Sequence, residues 1–266
     1  MGLKFDIKGF HSIDLQGKFI LRFIPVKFQK PKSSVRLYCF PYAGGSAQVF
    51  SPWHALISDS IEVVGVQYPG RSERFNEPAI DDCILMAKAI AADINAADSK
   101  PFALLGYSMG GAIAYETMRH LKKPPAALFL CASQPPKLSK RRRCEQNEEQ
   151  LIEDIKKLGG IDERLLEDNE MRALIINMMR TDFKLLDTYQ SKTQHANCPV
   201  HIIYGTKDPH VAPESAKEWQ KLCVGQVHYH EINGEHFFIR THRDELINCV
   251  QRNIMLTKHQ KAFEAV

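Results

Sequence analysis

Apolar residues along the chain alternate between two patterns. Short runs such as VRLYCF at 35–40, IEVVGV at 61–66, FALLGY at 102–107 and LFLCA at 128–132 are almost continuously apolar. Runs of that length, rich in β-branched and aromatic residues, predict strands buried on both faces. Between them the apolar positions recur at helical spacing. A short helix is predicted at 48–57, an amphipathic one at 82–96 and another at 110–121. Further on, strands at 200–205 and 226–232 flank a helix near 213–222, and a helix over 243–254 closes the pattern. Strands alternating with helices define an α/β chain with a mostly parallel central sheet and helices on both faces. Right-handed crossovers gather the strand C-termini, and the loops leaving them, along one edge. Ligand chemistry is expected there.

Two segments interrupt the alternation. Residues 1–34 form an N-terminal extension ending in the linker-like FQKPKSS, with 18–23 as a possible added edge strand. Residues 134–195 contain no strand pattern but carry helical patterns at 148–158, 163–166 and 172–189. An insertion of this size between two strands reads as a helical lid or cap. The expected core is then 35–133 together with 196–266. No internal repeat or low-complexity tract is present.

Composition narrows the picture. No apolar run is long enough to cross a bilayer, and the N-terminus lacks a secretory pattern. Seven cysteines are scattered without a CxxC pair. They read as reduced, mostly buried residues of a cytoplasmic protein. The net charge of +4 carries no interleaved aromatic pattern, so nucleic acid is not an expected partner. No membrane association is expected, and no metal.

The strongest local signal is Gly106-Tyr107-Ser108-Met109-Gly110-Gly111, which follows an apolar strand and opens a helix. That is the context of a nucleophile elbow in an α/β-hydrolase fold. A sharp, costly turn lifts the Ser108 hydroxyl above the sheet edge. It also puts the Met109 N–H at a helix N-terminus, where it can donate to a developing oxyanion. A serine hydroxyl needs a base. In this fold the order is serine, acid, histidine, with the base in a loop after a late strand. His236 fits, because a strand and a glycine turn precede it. His242 is second choice. His228 and His230 lie within a strand pattern, and His210 precedes the last strand. Asp208, in the turn GTKDP after the strand at 200–205, is the expected acid, with a plain capping role as the alternative. Asp182 and Asp187 are weaker choices within the insertion. The loop FPYAGGS at 40–46 is placed to supply the second oxyanion donor, the Ala43 N–H. Each such donor contributes roughly 3 kcal/mol to lowering the barrier.

Five motifs occur together and in order: FPYAGG, QYPGRSER at 67–74, GYSMGG, GTKDP and GEHFF. Over roughly residues 35–255 the chain resembles the type II thioesterases, stand-alone enzymes that accompany non-ribosomal peptide and polyketide synthetases. The resemblance implies a triad of Ser108, Asp208 and His236. It implies hydrolysis of acyl thioesters on the phosphopantetheine arm of carrier proteins, an editing role, and a lid over an acyl channel at 134–195. The enzyme itself would need no cofactor, and a monomer is expected. Arg71 and Arg74 either support the mouth of the site or the phosphopantetheine phosphate, or form ion pairs with a neighbouring loop; the second is favoured. The basic run KLSKRRR at 137–143, including Arg141 and Arg142, is either solvated surface or an edge that steers acidic carriers. The same triad would also suit a small-molecule carboxylesterase or lipase. A non-catalytic binding protein is disfavoured, since nucleophile, base, acid and oxyanion loop all have candidates.

Overall fold

The computed structural model describes residues 12–13, 19–20, 23, 30, 32–97, 100–136, 142–191 and 196–263. Two short strands, β1 (Ser12–Ile13) and β2 (Phe19–Ile20), pair antiparallel with each other. The expected edge strand at 18–23 is therefore not part of the main sheet. Its residue Phe23 is buried beside the sheet instead, accepting from the Gln67 N–H at 3.0 Å and donating its own N–H to Asp93 at 2.7 Å.

The main sheet has six strands: β3 (Val35–Phe40), β4 (Ile61–Gly65), β5 (Phe102–Tyr107), β6 (Leu128–Cys131), β7 (Val200–Gly205) and β8 (Val227–Ile232). Their order is β4-β3-β5-β6-β7-β8, and every neighbouring pair is parallel. The chain leaves β3 for β4 on one side and returns to β5 on the other. The C-terminal ends of β3 and β5 thus border the crevice where a parallel sheet binds its ligands. Phe40 there lies in register with Gly106.

Side-chain alternation along the strands feeds two cores. Tyr38, Phe40, Leu104, Leu128, Leu130 and Ile202 face one side, where they pack against α2 (Cys83–Ala96) and α3 (Met109–Met118). Leu37, Cys39, Leu105, Phe129, Cys131 and Ile203 face the other, which is covered by α1 (Trp53–Leu56) and the C-terminal helix described below. Asp82 caps α2 by accepting from the Leu85 N–H, which fixes where that helix begins. All seven cysteines are free thiols, and six are buried.

Between β6 and β7 lie α4 (Glu148–Leu158), a 3-10 turn at Glu163–Leu166, and α5 (Asn169–Thr188), which starts three residues earlier than the apolar pattern predicts because Asp168 caps it. Leu151, Ile155, Ile175, Met179, Phe183 and Leu185 of this insertion join the α2/α3 core and form no separate one. Each such side chain contributes roughly 1.5–3 kcal/mol on burial, so the insertion is seated more firmly than its lack of strands implies. After β7 come α6 (Pro213–Lys217), α7 (Phe238–Thr241) and α8 (Arg243–Phe263). Among the described residues no helix is long and apolar enough to cross a membrane.

Candidate active site

The turn from β5 into α3 holds Ser108 at φ 53°, ψ −116°. A non-glycine residue in that conformation costs about 1–3 kcal/mol, a strain typical of functional turns. Two glycines make the turn possible. A Cβ on Gly106 would lie 2.3 Å from the Gly110 carbonyl oxygen, and one on Gly110 would lie 2.1 Å from that of Phe40. The elbow is pinned to the sheet by the Ser108 N–H, which donates to the Cys131 carbonyl at 2.8 Å.

His236 reaches this serine from the loop after β8. Its Nε2 is 3.1 Å from Ser108 Oγ, and its Nδ1 is 2.7 Å from Asp208 Oδ2. With the ring proton on Nδ1, the carboxylate accepts it and Nε2 is left to accept from the serine hydroxyl. Asp208 sits in the turn after β7, and its other oxygen accepts from the N–H groups of His210 and Val211 at 2.8 and 3.0 Å. Those donors fix the orientation of the carboxylate. Asp208 and His236 are both buried, at 8% and 4% exposure, so water competes weakly for their hydrogen bonds. The two loops are joined by the Lys207 N–H donating to the Gly234 carbonyl at 3.0 Å.

Tyr107 supports His236 from below, a contact that sequence reading missed. Its hydroxyl donates to the His236 carbonyl at 2.5 Å and accepts from the Ile239 N–H at 3.2 Å. Burial pushes the phenol pKa up, which keeps it a neutral donor. Tyr107 stands inside the elbow motif, but nothing in its position signals a partner 129 residues away.

The loop after β3 faces the elbow. Among the described residues, the N–H groups of Ala43 and Met109 donate to no protein acceptor. Met109 is the first residue of α3, where the N–H has no partner within the helix and the dipole favours negative charge.

The remaining candidates are placed as follows. Arg71 is buried and forms a two-pronged pair with Asp182, at 2.7 and 2.5 Å. Burial opposes its charge, but the facing carboxylate outweighs that and raises its pKa. Arg74 is buried too, bonded to Glu77 and the Gln67 carbonyl and lying over the Phe23 ring. Both arginines form ion pairs, Arg71 with Asp182 of the insertion and Arg74 with Glu77 of its own loop. Arg142 is exposed and pairs with Glu145. Arg141 and the rest of 137–141 lie outside the described residues. His242 bonds Thr241, His228 and His230 lie in β8, and His210 contacts the Lys157 carbonyl at 3.0 Å. Asp182 and Asp187 bond to other partners: Asp182 to Arg71, and Asp187 to the Cys144 N–H. Among the described residues no group of three or more His, Cys, Asp or Glu is arranged to hold a metal.

Residues 35–254 match the thioesterase domain family, and the chain belongs to that family. It is 31% identical over 249 residues to the thioesterase PikA5 of Streptomyces venezuelae, covering 91% of this chain and 87% of that one. Among solved structures it resembles RedJ, the thioesterase of the prodiginine pathway in Streptomyces coelicolor. The TM-score there is 0.78 at 28% identity, over 84% of this chain and 92% of that one. It also resembles BorB, the type II thioesterase of the borrelidin biosynthetic cluster. That TM-score is 0.77 at 27% identity, over 87% of this chain and 97% of the other. These relatives favour the thioesterase reading over the carboxylesterase alternative, and the fold is that of the α/β-hydrolases.

Proposed function

We propose that the chain hydrolyses acyl thioesters on the phosphopantetheine arm of carrier proteins, with Ser108 as nucleophile, His236 as base and Asp208 as orienting acid. The observation that carries this is the unbroken chain from Ser108 Oγ through His236 to Asp208, set on a strained elbow. In the first step Ser108 Oγ adds to the thioester carbonyl while its proton passes to His236 Nε2. The charge that develops on the carbonyl oxygen is met by the N–H groups of Ala43 and Met109. Asp208 stabilises the imidazolium without taking its proton. Collapse breaks the C–S bond, and His236 returns the proton to the departing thiolate. Water, activated by the same histidine, then releases the acyl group from Ser108 as a carboxylic acid. The chain supplies side chains and backbone donors alone; the phosphopantetheine belongs to the partner.

The biological role we infer is editing, the removal of stalled or wrongly loaded acyl groups from a synthetase. The insertion between β6 and β7 acts as the lid, and the enzyme acts as a monomer. The test compares kcat/KM for one acyl group on a carrier protein, on coenzyme A and as an oxyester. Preference for the carrier is expected. Preference for the oxyester would restore the carboxylesterase reading.

A further inference from the structure

One carboxylate of the insertion reaches the loop that faces the nucleophile. Asp182 lies on α5, is 1% exposed, and accepts from the Gly44 N–H through Oδ2 at 2.8 Å. The same carboxylate takes both ends of the Arg71 guanidinium. Arg71 Nη1 in turn donates to the Gly45 carbonyl at 3.3 Å. The pair therefore grips two backbone groups of the loop immediately after Ala43. Gly44 itself has φ +77°, with Met179 and Ile161 of the insertion packed against it.

A buried ion pair is weak evidence of stabilisation, because desolvation consumes much of its attraction and an apolar pair often serves the fold as well. Its position argues for another use. The Gly44 N–H belongs to the peptide next to the one that carries the Ala43 N–H. Rotating the first plane re-aims the second. A donor must point to where the oxyanion forms, and a misplacement of about 1 Å can cost a hundredfold in rate.

We propose that Asp182 is a positioning residue of the reaction. By holding the Gly44 N–H from the insertion, it aims the Ala43 N–H, so the oxyanion site is complete only when the insertion is seated. This rests on Ser108 as nucleophile and on Ala43 and Met109 as oxyanion donors.

Removing Asp182 alone leaves the Arg71 charge buried and uncompensated, which endangers the fold itself. Two double variants avoid this, R71M/D182N and R71M/D182L. Both lack the charges and have similar volume, but only the asparagine can still accept from Gly44. Each is compared with the wild type on an acyl-coenzyme A thioester, with thermal melts establishing folding. Affinity is also measured for an alkyl trifluoromethyl ketone, which adds to the serine and presents an oxyanion. The leucine variant is expected to show kcat lower than the asparagine variant by about tenfold or more, with KM within about threefold. Its ketone affinity should fall by the same factor as kcat/KM. Equal kcat in the two folded variants, a loss confined to KM, or unchanged ketone affinity would overturn the proposal. So would failure of both to fold, which would assign the pair to the fold. Wild-type protein that hydrolyses no thioester, or S108A that still does, would instead sink the underlying reading.

Discussion

Ser108, His236 and Asp208 occupy three loops, each leaving the C-terminal end of a strand, and the sheet converts that shared position into contact. Their placement was readable in the sequence for that reason: strand, tight turn and candidate residue are adjacent in the chain. S108A should lose roughly a thousandfold or more in kcat, with its melting temperature unchanged or raised, since the hydroxyl fills no core volume. H236A should match it, and D208N should be less severe, because the acid orients the base and does not accept its proton. Turnover retained in folded S108A, or a dead H242A beside an active H236A, would contradict these roles. Arg71 shows the limit of sequence reading at this scale. Its motif marked it as important, but the partner that defines its role lies 111 residues further on, in an insertion with its own local pattern.

Strands β3, β5 and β7 match their apolar runs residue for residue, because strands covered on both faces are nearly continuous apolar runs, broken here by Arg36 and His201 alone. Shorter helical patterns did less well. The stretch at 48–57 divides into a 3-10 turn, Ala47–Phe50, and α1, while 213–222 divides into α6 and a 3-10 turn at Glu218–Leu222. Such pieces take their form from the sheet they cover and little from their own periodicity. The pairing of β7 and β8 has a further consequence. His201 of β7 is stacked between Phe129 of β6 and the rings of His228 and His230 of β8, with its Nδ1 3.0 Å from His230 Nε2. Arg252 of α8 adds positive charge near His230. Burial, then the two neighbouring histidines, push the His201 pKa down to about 3. An unfolded imidazole takes its proton near pH 6.5, so between about 6.5 and about 3 the unfolded state binds the extra proton. Stability should therefore fall as pH drops below about 6.5, by up to about 1.4 kcal/mol per pH unit from this one site. H201F keeps the stack on Phe129 and removes the titration, so its melting temperature should decline less between pH 7 and pH 5. Parallel profiles for the two proteins would place the acid sensitivity elsewhere.

At the scale of the molecule the insertion meets the loop after β3 and the loops that carry His236 and Asp208. Asp182 holds Gly44, Arg240 beside the His236 loop donates to the Gly160 carbonyl at 2.8 Å, and His210 of the Asp208 turn meets the Lys157 carbonyl. The insertion's helices were readable from their apolar stripes; these contacts were not. Two of the three end on backbone carbonyls, which every residue carries and no sequence pattern marks. Opening the insertion means breaking those hydrogen bonds and withdrawing Met179 and Ile161 from Gly44. The strand before Ser108 has no such route to solvent, since its residues 103–107 are buried in the centre of the sheet. Local opening draws on the less stable parts of a fold, and a cover that excludes water must still admit a carrier-bound arm. Amides of α4 and α5 should thus exchange with deuterium faster than those of β5. An acyl-phosphonate on Ser108 should slow the exchange of both helices, and R240A, which frees the Gly160 carbonyl, should hasten it without an inhibitor. Exchange in α4 and α5 as slow as in β5, and indifferent to both the inhibitor and the substitution, would make the insertion a fixed wall of the site and rule out its service as a lid.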